Sequence, residues 1–107
     1  MIIREWRGRA ASARAADYPV HFRSSVVPEL LHLPGFLGAQ LSQRDIAGHI
    51  EFLVLTRWQS LAAIRAFAGG AIERAVVEPG AVAALVDFDP LVRHYEVIED
   101  LPAPAAS

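Results

Sequence analysis

Four histidines, ten arginines and a complete absence of lysine and cysteine set the chemistry open to this chain of 107 residues. Without lysine there is no Schiff base and no amine nucleophile; without cysteine there is no thiolate, disulfide or thiolate metal site. Proton transfer falls to histidine, whose ordinary pKa lies near neutral pH. His94 and Tyr95 are neighbours in an alternating segment, so their side chains face opposite ways and only one of them can enter a given site. Tyr18, His21 and Phe22 fall within one helical turn. On a shared face the phenol would donate a hydrogen bond and the imidazole would take a proton. Arg4 and Trp6 share a strand face, where a guanidinium beside an aromatic plane could stack on a flat substrate and hold its oxyanion. The expected proton-transfer residues are therefore His94, ahead of His21, and the expected substrate-binding residues are Tyr18, Trp6, Arg4 and Phe22. Plainer roles stay open: a structural histidine at position 94, Phe22 and Trp6 as core, and Arg4 paired with a carboxylate.

Other chemistries are disfavoured. Four histidines without short paired spacing do not make a metal site, which needs three or four converging ligands. Gly69-Gly70 lacks the spacing and the lysine of a phosphate loop, so no nucleotide cofactor is expected. The formal charge is −2, with arginines scattered among acidic residues, which argues against a nucleic-acid partner. The longest apolar runs, such as Phe52 to Leu55, are too short to span a bilayer. A soluble, cytoplasmic protein without a cofactor is the expectation.

The elements that must position these residues follow from periodicity. Alternation from Ile2 to Arg9 predicts a first strand with Ile2, Arg4, Trp6 and Gly8 on one face. Ser12 to His32 carries Tyr18, Phe22, Val26 and Leu30 at steps of four, a helical stripe, with Asp17 as a cap, Pro19 in the first turn, and Pro28 kinking or restarting the helix. Leu33-Pro34-Gly35-Phe36 is a turn leading into a second strand. Arg44 to Gly48 would form a hairpin turn, and His49 to Trp58 a third, central strand. Ile50, Phe52, Val54 and Thr56 lie on one of its faces; His49, Glu51, Leu53, Leu55 and Arg57 lie on the other. Ser60 caps a helix over Leu61 to Ala68, with Leu61, Ile64 and Phe67 on one side and Gly69-Gly70 as its stop. Ala71 to Val77 and Ala81 to Leu85 are read as further short helical turns. Asp89-Pro90 precedes a last strand, Leu91 to Ile98. The tail from Leu101 to Ser107 is expected to be mobile.

The order strand, helix, strand, strand, helix, strand is the split βαβ pattern of a ferredoxin-like α+β domain with an antiparallel sheet, here over residues 1–100. Two helices cover one sheet face, and the apolar residues on both faces of the third strand favour docking of the other face on a second copy.

Pro34-Gly35-Phe36-Leu37-Gly38, Leu55-Thr56-Arg57-Trp58-Gln59-Ser60, Ala63-Ile64-Arg65-Ala66-Phe67-Ala68 and His94-Tyr95-Glu96-Val97 together resemble antibiotic biosynthesis monooxygenase domains. The resemblance runs from Ile2 to about Glu99. It implies a homodimer whose sheets pack into a dimeric α+β barrel, with a pocket in each protomer between helices and sheet. Activities in that family include cofactor-free oxygenation of aromatic polyketides and quinols, and heme degradation. The heme-degrading branch uses a strand asparagine, a tryptophan and an iron-ligating histidine; the corresponding positions here are Trp6, Phe67 and Val77. Valine cannot ligate iron, so that route is not expected. The expected function is cofactor-independent oxygenation of a small aromatic, polyketide or quinol-like molecule. The alternative is a non-catalytic metabolite-binding or stress-associated homodimer.

Overall fold

The computed structural model describes residues 1–105. Strand β1 (Ile2–Ala11) pairs along its length with β3 (His49–Trp58), and β3 pairs with β2 (Phe36–Ile46), all antiparallel. Two short strands, β4 (Asp87–Phe88) and β5 (Arg93–Glu96), lie antiparallel on the far edge of β1. The sheet order β2-β3-β1 with β4 and β5 outermost is the ferredoxin-like arrangement. The last strand of that pattern is broken in two, because Asp89-Pro90 interrupts the ladder and Pro90 has no N–H to donate. The expected strand from Leu91 to Ile98 is accordingly reduced to Arg93–Glu96.

The first helical segment is a composite: α1 (Asp17–His21), a π-helical turn over Phe22–Val26, and α2 (Val27–Leu31). Pro28 cannot donate to the carbonyl four residues back, so the chain widens for one turn and restarts with the proline in the first turn of α2. Asp17 does not cap. The N-cap position is Ala16, and the Asp17 carboxylate accepts from Arg14 at 2.8 Å instead. Helix α3 (Leu61–Ala68) begins as expected, with the Ser60 hydroxyl accepting from Ala63 N at 3.2 Å, and it ends at Gly69, whose φ is 81°. Ile64 is its buried residue, whereas Leu61 turns out to solvent.

Two further expectations give way. The hairpin turn is only Ala47-Gly48, both at positive φ (44° and 85°), so β2 runs on through Arg44 to Ile46. The helical turn expected over Ala71–Val77 is reduced to a single hydrogen-bonded turn, Arg74 N donating to Ala71 O at 3.1 Å. The chain is then tied to the segment before β5 by Ala75 N donating to Pro90 O at 2.9 Å and Val92 N to Glu73 O at 2.8 Å, while α4 (Pro79–Ala84) starts at the proline. From Leu101 to residue 105 the chain is exposed and without regular structure; Ala106 and Ser107, the end of the expected tail, lie outside the described residues.

The core lies between the helices and one sheet face. Tyr18 and Phe22 pack on Ile50, Phe52 and Val54, while Leu30 and Ile64 close on Trp58 at the other end. This even-numbered face of β3 is buried throughout; Glu51, Leu53, Leu55 and Arg57 on the opposite face are half-buried.

Candidate functional site

Alternation along β1 sends Arg4 and Trp6 to the helix-covered face, opposite Thr56 and Val54 of β3. There they line a cleft with Tyr18 and His21 of α1 and Phe67 of α3. The Trp6 indole Nε1 donates to Asp89 O at 2.8 Å, which fixes the ring at the sheet edge, 5.8 Å between centroids from Tyr18. Tyr18 is packed on Phe52 at 5.2 Å. Burial, and secondly the negative charge of Glu78, push its phenol well above the ordinary value, so it stays protonated and serves as a hydrogen-bond donor rather than a base.

One turn on, His21 presents a buried Nε2 that has no hydrogen-bond partner among the described residues. A buried polar atom left unpaired costs free energy, of order 1–3 kcal/mol, unless water or a ligand meets it. The ring is held 6.1 Å from Tyr18 and lies close under α4: a Cβ on Gly80 would fall 2.6 Å from His21 Nδ1.

Arg4 is 5% exposed. Its Nη1 donates to Ile72 O at 2.6 Å and to His94 Nε2 at 2.9 Å, and its Nη2 donates to Arg74 O at 2.9 Å. The Phe67 ring lies 5.8 Å from its Cζ. No ion pair is made by Arg4 among the described residues; the carboxylates pair with Arg7, Arg9, Arg14, Arg44 and Arg93. Burial pulls its pKa down to about 10, so it remains charged at neutral pH. These bonds also account for the turn at Ala71–Arg74 not growing into a helix, since the carbonyls of Ile72 and Arg74 are taken by the guanidinium.

His94 stands opposite Arg4 in the β1–β5 register, on the helix-covered face, while Tyr95 is on the other and about half exposed. A guanidinium only donates, so His94 Nε2 must accept and the imidazole is neutral with its proton on Nδ1. Burial chiefly, then the charge of Arg4, hold its pKa below the ordinary histidine value, with Glu73 opposing. His94 lies behind Arg4 and is not part of the cleft lining, and Phe22, 7% exposed, turns into the core. The structure thus brings Arg4, Trp6, Tyr18 and His21 together and leaves His94 and Phe22 outside the cleft.

Thr56, Phe67, Glu29 and Glu78 also line it and were not singled out as site residues from sequence. Only Phe67 carried a usable signal, its place on the inward stripe of α3. The cleft opens to solvent at its mouth. Its volume is about 60 Å³, room for a few waters, since one needs roughly 10–15 Å³. No group of three or more His, Cys, Asp or Glu side chains is placed to hold a metal ion among the described residues.

Comparison with known proteins places this geometry. The family model described as antibiotic biosynthesis monooxygenase matches residues 1–86. A search of curated proteins gave no match. Among solved structures, a protein of Deinococcus radiodurans described as a monooxygenase of antibiotic biosynthesis is 20% identical, with 98% of this chain and 100% of that chain covered and a TM-score of 0.61. A heme-degrader from Mycobacterium tuberculosis, solved with two hemes in its active site, is 23% identical, with 95% and 100% covered and a TM-score of 0.61. A monooxygenase from Streptomyces coelicolor in complex with Nanaomycin D is 13% identical, with 97% and 92% covered and a TM-score of 0.59. These likenesses establish the shared fold.

Proposed function

The chain belongs to the antibiotic biosynthesis monooxygenase family, and we propose that its cleft binds a flat aromatic or quinol-like molecule and promotes its oxygenation without a cofactor. The observation that carries this reading is the unpartnered, buried Nε2 of His21 in a cleft walled by Trp6 and Tyr18. A phenol or quinol hydroxyl seated there would give its proton to His21 Nε2. The resulting phenolate or carbanion can pass an electron to dioxygen, so the protein need only bind, deprotonate and exclude water. Trp6 supplies a stacking wall and the Tyr18 hydroxyl an orienting donor. His21 takes the proton-transfer role ahead of His94, because His94 Nε2 is already engaged by Arg4.

Heme chemistry is not part of this reading. Val77, at the position of the iron-ligating histidine in the heme-degrading branch, offers no donor and packs against the core; Trp6 and Phe67 stand at the other two positions.

The small volume of the cleft, about 60 Å³, favours a second reading, a non-catalytic metabolite-binding protein. Oxygen uptake over a panel of phenols and hydroquinones separates the two. Uptake that falls by roughly a hundredfold or more in His21→Ala supports the first. Binding without uptake supports the second. The same proposal includes a second copy of the chain docked on the open sheet face.

A further inference from the structure

Arg4 is the one buried arginine of the ten, and among the described residues no carboxylate compensates its charge. A buried charge normally acquires a counter-ion, because partial dipoles such as carbonyls offset only part of its desolvation. The carbonyls of Ile72 and Arg74 and the His94 imidazole take three of its N–H donors. A guanidinium has five. The remaining donors, Nε–H and one on Nη2, meet no acceptor among the described residues, and the side chain borders the cleft. Across the cleft, His21 Nε2 is the buried side-chain atom without a hydrogen-bond partner among the described residues.

The mouth carries the opposite charge. Glu29 and Glu78 also line the cleft, Glu29 exposed and Glu78 half-buried. A second acidic group on the ligand would meet them, whereas a single acidic oxygen can pass to the buried cation, where water screens least.

Resting on the binding reading above, we propose that Arg4 is the specificity-determining residue of this cleft and selects flat monoanions: ring compounds with one ionised enol, phenol or carboxylate oxygen. The acidic oxygen completes the hydrogen bonding of the guanidinium and neutralises its charge. The rest of the ring lies against Trp6, with a second hydroxyl or carbonyl left for His21.

The test compares 2-hydroxy-1,4-naphthoquinone, ionised at neutral pH, with its uncharged methyl ether, 2-methoxy-1,4-naphthoquinone, by calorimetric titration of the intact protein. A charge-assisted hydrogen bond to a buried partner predicts roughly tenfold to hundredfold tighter binding of the anion. In Arg4→Gln that preference should fall to near unity while the ether's affinity is kept. Because Arg4 also holds the 71–77 segment, that variant is checked by circular dichroism. If it fails to fold, the preference of the wild-type protein for the anion over the ether decides. Equal binding of both compounds by the wild type, or an undiminished preference in a folded Arg4→Gln, overturns the inference and leaves the aromatic-site reading standing. Binding of neither removes both.

Discussion

The contact between Arg4 and His94 is a fixed partnership with a pH consequence. His94 can accept from the guanidinium only while neutral, and burial together with the arginine's charge holds its pKa below the ordinary 6.5. The unfolded chain therefore takes up this proton first as the pH falls. Stability contributed by the contact is complete above the unfolded value and declines as the pH drops from there toward the lowered folded value. His94→Gln keeps an acceptor for Arg4 without a titrating ring, so the fall in Tm between about pH 7.5 and about pH 5 should be smaller in the variant than in the parent. Equal falls would show that His94 is not the titrating group. Much of this was legible in the sequence: strand parity puts Arg4, Trp6 and His94 on one face, and helical spacing puts Tyr18 and His21 on another. What parity could not show is depth. His94 and Arg4 share a face, but the arginine's long stem reaches the cleft and occupies the histidine's nitrogen on the way.

Helix α4 contributes to the site through what it lacks. Gly80 lets α4 close on α1 with the His21 ring beneath it, and an added Cβ would sit 2.6 Å from Nδ1 and 2.8 Å from Cε1. An imidazole can swing about its χ1, so Gly80→Ala should displace the ring while the fold survives. The alanine also raises helix propensity by about 1 kcal/mol, offsetting strain. The expected signature is an unchanged or slightly altered Tm with ligand affinity or turnover reduced at least tenfold. A loss of Tm without a loss of binding would contradict it. Elements set by local rules were readable in advance: the Ser60 cap, the Gly69 stop, and the turn at Gly35, whose φ of 82° suits glycine. Elements set by distant partners were not. Ala71–Val77 has helix-compatible residues, yet Arg4, some seventy positions away, takes the carbonyls of Ile72 and Arg74. Similarly, nothing within the polar run Arg44–Ile46 reveals that β3 extends its ladder there.

At the scale of the molecule, the open sheet face is what remains to be covered. A folded monomer of 11.6 kDa is expected to expose roughly 5,800 Å², whereas this chain exposes 6772 Å². Its radius of gyration is 14.7 Å and its thinnest extent 22 Å, against about 13 Å for the radius of a typical domain of this length. The exposed tail supplies part of the excess, and the flat two-layer shape supplies the rest. On the open face Leu53, Leu55 and Ile3 are flanked by Arg7, Arg9, Arg44 and Arg93, whose charges are met within the protomer by Glu5 and Glu51, and by Arg57, opposite Ile3, which makes no ion pair among the described residues. An apolar centre inside a rim of mostly paired charges is a surface a second copy can cover, with Arg57 left to find its partner across the contact. Sedimentation at micromolar concentration is expected to give twice 11.6 kDa. Leu55→Arg tests the face: Leu55 stands opposite Glu5, so the isolated protomer can pair the new charge and keep its fold. In a symmetric dimer the substitution adds a cation from each copy to the same dry centre, and the assembly should weaken by a hundredfold or more, on the scale of burying poorly compensated charge. A parent protein that sediments only as a monomer, or a Leu55→Arg variant that dimerises unimpaired, would mean this face is not where the copies meet.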